Sequence, residues 1–192
     1  MRELGRPSWQ IQVDERQVLA VALYVRDVVG IAHTAAPVGL PELAPSVRTG
    51  GTVLASPEAG ADWNAWWARA LTMGARAGLD LQPPHFPAFA NAPALQALLQ
   101  EHFDAAQRWA SDRTRSSVRA SSTDLPLGDT MSEIEDRLGR AAKPFNLRLD
   151  VVPVAGRRLG TASPEHLLVP SALLQEPEQL LTLVRPAVER LA

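Results

Sequence analysis

The spacing of apolar residues changes once along this chain, near Pro144, and that change limits the folds open to it. Upstream, apolar residues mostly recur at helical spacing. Downstream, Phe145-Asn146-Leu147-Arg148-Leu149-Asp150-Val151 alternates apolar with polar, the period of a strand with one buried face. A chain carrying both periods needs helices packed on a sheet, and this sheet is expected to assemble late in the sequence. The 192 residues suffice to bury a core without staples, and 46% hydrophobic with 21% charged residues is a globular balance. We therefore expect one globular domain over 1–192, of the α+β class, with helices packed on a small, mainly antiparallel sheet formed largely by the C-terminal third. About five helices are expected from the periodicity. The competing architecture is a helical bundle with a peripheral hairpin.

Trp9-Gln10-Ile11-Gln12-Val13 also alternates and predicts a short strand able to join that sheet. Asp14 and Gln17 read as a capping box before a helix from Val18 that Gly30 stops, although its β-branched residues make a strand over Val18–Val25 the competitor. From His33 to Pro57 prolines and glycines erase any period, while Leu40, Leu43 and Val47 suggest an extended segment laid over the core. Ser56-Pro57-Glu58 opens a helix reaching Gly78; a proline-rich connector follows, then a helix from Asn91 to Trp109. Ser111–Asp124 has almost no apolar residue, so a flexible segment is expected near 111–127. Thr130 and Glu133 read as a capping box for a helix to Ala142. After the Phe145 strand, Ala155–Arg158 predicts a turn into a return strand over Arg158–Thr161. His166–Val169 is a further candidate strand, and Pro177 starts a last helix that Pro186 should kink or end.

Composition demotes several classes of function. A net charge of −2 lacks the general electrostatic footprint of a nucleic-acid binder. The absence of cysteine removes disulfides, zinc ribbons and thiol catalysis. Val18–Val25, the most apolar run, is far short of the roughly 20 residues that span a bilayer, and the N-terminus leads into no secretory apolar stretch. A soluble cytoplasmic protein without a membrane partner is expected. There is no glycine-rich phosphate loop and no paired-histidine zinc motif, so neither a cofactor nor a metal is expected.

Trp63, Trp66 and Trp67 lie on adjoining parts of one helical face, where three indoles can form core or a binding surface. Arg108, Arg113, Arg115 and Arg119, beside Trp109, form the basic cluster; they can clamp phosphate and stack on a base, or simply coat a solvated helix end. None of the histidines His33, His85, His102 and His166 belongs to a spaced metal-binding pair; Glu101, His102 and Asp104 supply donors that point in different directions, and His102 falls on an apolar stripe. A triad of His166, Asp150 and Ser163 or Ser171 can be drawn, without the Gly-x-Ser-x-Gly elbow that would mark it. Glu133 with Arg137, and Asp136 with Arg140, have the spacing of helical ion pairs. The leading expectation is a non-catalytic interaction or accessory protein that associates with a protein partner or with itself through Trp63, Trp66 and Trp67, with Arg108 and Trp109 as further binding candidates. A small hydrolase using His166 or His102, and a small-ligand binder using the tryptophans, are the alternatives. Whether the chain is an enzyme is left open by its sequence.

Overall fold

The alternating segment becomes strand β2 (Phe145–Val152), and the early alternation becomes β1 (Trp9–Asp14) beside it. The computed structural model describes residues 9–31, 40–47, 55–120 and 127–192. Two more strands, β3 (Gly160–Ser163) and β4 (His166–Pro170), complete a four-stranded sheet in the order β1-β2-β4-β3. The five α-helices are α1 (Gln17–Val28), α2 (Pro57–Met73), α3 (Pro93–Ala120), α4 (Leu127–Leu138) and α5 (Pro177–Leu191). Helices and sheet are thus combined as expected, but the sheet is mixed and mostly parallel, not mainly antiparallel. β1 and β4 both run parallel to β2, and only β3 pairs antiparallel, with β4.

The cause lies in the link after β2. Residues around Val154 do not turn back, because they pair with the extended segment 40–47: Ala44 N donates to Pro153 O at 2.9 Å and Ala155 N to Glu42 O at 2.8 Å. The chain is carried to the far edge, where β3 begins. The tight β3–β4 hairpin then returns β4 into the place beside β2. The turn expected at Ala155–Arg158 therefore joins no β2–β3 hairpin.

The sheet is covered on both faces. Leu147 and Leu149 of β2, with Leu167 and Val169 of β4, pack against Met131 and Ile134 of α4 and Leu180, Val184 and Val188 of α5. Val152 and Leu168 point the other way, into a core with α1, α2 and α3. The polar members of the β2 alternation share this second face. Among them Asp150 is buried, Arg148 is half-buried and Asn146 is exposed.

Helix α1 is buried from Val18 through Leu23, which is why its sequence shows little amphipathic contrast. Asp14 does not cap it: Asp14 still belongs to β1, and the helix begins after Arg16. The extended segment is held by α1, since Arg26 donates to Leu40 O at 3.2 Å and Pro41 O at 2.7 Å, while Asp27 accepts from Leu43 N at 2.7 Å. Ser56 caps α2 through Ala59 N at 3.2 Å. α2 ends at Met73 and tightens into a 3-10 turn over Gly74–Asp80. α3 continues past Trp109 to Ala120, over a stretch that contains neither glycine nor proline. Residues 121–126, within the segment expected to be flexible, lie outside the described residues. α4 starts at Leu127, so Thr130 sits inside the helix and is not its cap. Its charges reach α5 instead of their own helix: Arg185 donates to Glu133 at 2.6 Å, and Arg137 pairs with Glu189. α5 runs through Pro186.

Candidate functional site

Strand register builds the site. Arg148 on β2 is the register partner of His166 on β4, and His166 is the partner of Ser163 on β3. Arg148 and His166 are directly opposed and so share a face of the sheet, and a register irregularity between Thr161 and Ser163 brings Ser163 opposite His166. All three line a cavity of about 440 Å³. Asn146 lies one pleat before Arg148 along β2 and also lines it. Ala68, Leu71 and Thr72 of α2 line it as well, as does Glu165 of the hairpin turn.

Behind His166 lies Asp150, one pleat after Arg148 and without exposed surface. Its Oδ2 accepts a hydrogen bond from His166 Nε2 and another from Arg16 Nη2, while Oδ1 accepts from Arg16 Nε at 2.9 Å. Arg16 also donates to Ala70 O of α2 at 2.6 Å. One buried network thus ties the start of α1, the last turn of α2, β2 and β4. Burial pushes the Asp150 carboxyl up, but hydrogen bonds from His166 and Arg16, with the charges behind them, outweigh it and hold its pKa below the ordinary 3.8. Asp150 is therefore ionised at neutral pH and can only accept. An ionised Asp150 requires the proton of that hydrogen bond to sit on Nε2, so whenever the ring is neutral its lone pair is on Nδ1.

Arg148 differs from Arg16. Its guanidinium lies beside Gly74 at the end of α2, where an added Cβ would meet Nη1 at 3.5 Å. It makes no hydrogen bond or ion pair with any described residue. A cation, an imidazole, the Ser163 hydroxyl, the Asn146 amide and the Glu165 carboxylate thus line one space, while the Thr72 hydroxyl donates back to Arg69 O at 2.9 Å. Such a set can hold an oxyanion and accept a proton from a neighbouring group.

The other candidates are placed elsewhere. Trp63, Trp66 and Trp67 are only 2%, 2% and 1% exposed. Trp63 stacks on Trp67 at 5.5 Å and donates to Ala22 O at 2.8 Å; Trp66 meets Phe89 edge-on at 5.4 Å. The indole N–H groups of Trp66 and Trp67 find no acceptor among the described residues. Arg108 is exposed, whereas Trp109 turns inward against Tyr24, so the two do not share a surface. Arg115 pairs with Asp112 at 2.8 Å. Arg113 is half-buried, and the Arg119 side chain and His33 lie outside the described residues. His85 is exposed, and His102 is half-buried with Nε2 3.7 Å from Glu101. Ser171 belongs to a 3-10 turn after β4 and does not line the cavity. No group of three or more metal-binding side chains occurs among the described residues, and no helix among them is long and apolar enough to cross a membrane.

The imagined pairing of His166 with Asp150 is real, whereas Arg16, Thr72, Asn146 and Arg148 were not singled out. A signal for Asn146 and Arg148 was present: they are the polar half of the β2 alternation. It carries meaning only once β2 is known to be central, because Arg148 and Asp150 are then withdrawn from water while Asn146 stays exposed. Comparison with protein-family models, with curated proteins and with solved structures finds no match.

Proposed function

We propose that this protein binds a small ligand bearing a carboxylate or phosphate group in the cavity between α2 and the sheet. The observation that carries this reading is the guanidinium of Arg148, which has no hydrogen-bond or ion-pair partner among the described residues and lines the same cavity as its register partner His166. A guanidinium left without a carboxylate offers its fork of donors to an oxyanion. Ser163 and Asn146 add neutral hydrogen-bonding groups, and a volume of about 440 Å³ suits a small organic molecule. Burial of the indoles favours this cavity over the Trp63–Trp67 face as the seat of a ligand. Association with a protein partner through that face would require the helix to leave the core.

Titration calorimetry with acetate and with inorganic phosphate tests the reading. Arg148→Met should weaken binding by about 10-fold or more, since a hydrogen bond to a charged group contributes about 1.5–3 kcal/mol, while the unfolding midpoint stays close to that of the unaltered protein. Absence of saturable binding of either anion overturns the proposal, as does full affinity in the Arg148→Met variant.

A further inference from the structure

We infer that Ser163 and His166, with Asp150 as the positioning residue behind the imidazole, hydrolyse esters of small carboxylic acids in this cavity. The inference rests on the oxyanion-binding reading and adds chemistry to it. Three observations carry it. Ser163 and His166 are Cα partners flanking the β3–β4 turn, after a register irregularity between Thr161 and Ser163, and both line the same cavity. Asp150 accepts from Nε2, which leaves Nδ1 as the basic nitrogen. Arg148, register partner of His166, lines the same cavity and has no ion-pair partner among the described residues, so it is the cation available to charge developing on a carbonyl oxygen there. Ser163 is exposed at the end of the hairpin, and its Oγ accepts only a long hydrogen bond from Glu165 N at 3.3 Å, so a substrate can reach it.

In the first half-reaction the Ser163 hydroxyl proton passes to His166 Nδ1 as Oγ forms a bond to the acyl carbon. The carbonyl electron pair moves onto oxygen, facing Arg148. The pair returns, the carbon–alkoxide bond breaks, and the proton on Nδ1 goes to the departing alkoxide, leaving acyl-serine and a free alcohol. In the second half-reaction His166 takes a proton from water and the hydroxide adds to the acyl carbon. The bond to Oγ then breaks, and Ser163 recovers its proton from His166. The acid loses its own proton to solvent. The carboxylate product carries its charge where the tetrahedral oxyanion stood, so one arginine serves both the transition state and the bound anion. Asp150 stabilises the imidazolium formed in each half.

A fluorophosphonate probe provides a test that needs no natural substrate. Activated Ser163 should displace fluoride and gain the phosphonyl group, read by intact mass and peptide mapping. Ser163→Ala, altered at an exposed position, should stay folded and lose both labelling and hydrolysis of p-nitrophenyl acetate. His166→Gln should slow labelling by about 100-fold or more, the scale of general-base assistance. Asp150→Asn lets an amide donate to Nε2 and moves the proton to Nδ1; it should lower kcat for p-nitrophenyl acetate while leaving KM unchanged. A protein that binds acetate yet takes no label at Ser163, or takes it equally fast in His166→Gln, overturns this inference alone. Absence of both acetate binding and labelling overturns the binding reading with it.

Discussion

Asp150 is the residue on which the most elements converge. It has no exposed surface, and its two oxygens accept from side chains that arrive from α1 and β4. A buried carboxylate costs several kcal/mol to desolvate unless its partners remain, and removing one partner of a buried pair typically costs about 3–5 kcal/mol. Arg16→Met should therefore lower unfolding stability by about 3 kcal/mol in urea titrations. The pH dependence has a definite sign. Because the folded carboxyl titrates below the ordinary 3.8, its contribution is full above that value and is lost as pH falls through the lower folded one. The stability gap between the unaltered protein and Asp150→Asn should thus be wider at pH 5 than at pH 3; a gap that stays constant over this range would show that Asp150 is not held ionised. At this scale the sequence displayed His166, Asp150 and Ser163 as separate letters. Nothing local distinguished them from other His, Asp and Ser combinations, since their contact depends on pairing between strands.

At the scale of elements, α2 was the most legible. Its Ser-Pro-Glu start caps it as such a sequence should, and its tryptophan spacing marks the face that enters the core. Its end was less legible. Gly74 takes φ +59° with ψ −135°, a conformation open almost only to glycine, and this sets the 3-10 turn that follows. Gly74→Ala should cost about 1–3 kcal/mol through backbone strain. The added methyl would meet Arg148 at ordinary contact distance, so acetate affinity should be retained. Calorimetric unfolding and acetate titration of the same variant check both halves. The capping boxes at Asp14 and Thr130 failed for a shared reason: a side chain can cap only if the backbone there is a helix start. Strand pairing keeps Asp14 in β1, and α4 is already helical when it reaches Thr130.

On the scale of the whole molecule, the sheet joins residues far apart in the chain. Trp9 of β1 is in register with Phe145 of β2, and both neighbours of β2 run parallel to it. Strand β2 is covered on both faces and paired on both edges, whereas β1 has an outer edge unpaired among the described residues. Native-state hydrogen exchange should therefore find the β2 and β4 amides the slowest, opening only with global unfolding, and those of β1 faster. Equal protection of β1 would show that its outer edge is covered. What the sequence determined by itself was periodic: the strand over Phe145–Val151, the apolar stripes of the helices, the Ser56 cap and the covering role of Leu40 and Leu43. These depend on neighbours a few positions away, so they are written locally. Strand order, parallel pairing and the row Arg148–His166–Ser163 were decided only by tertiary structure. Register is chosen by which faces become buried and by where the link after β2 is pinned by segment 40–47, and neither condition exists until distant parts of the chain meet.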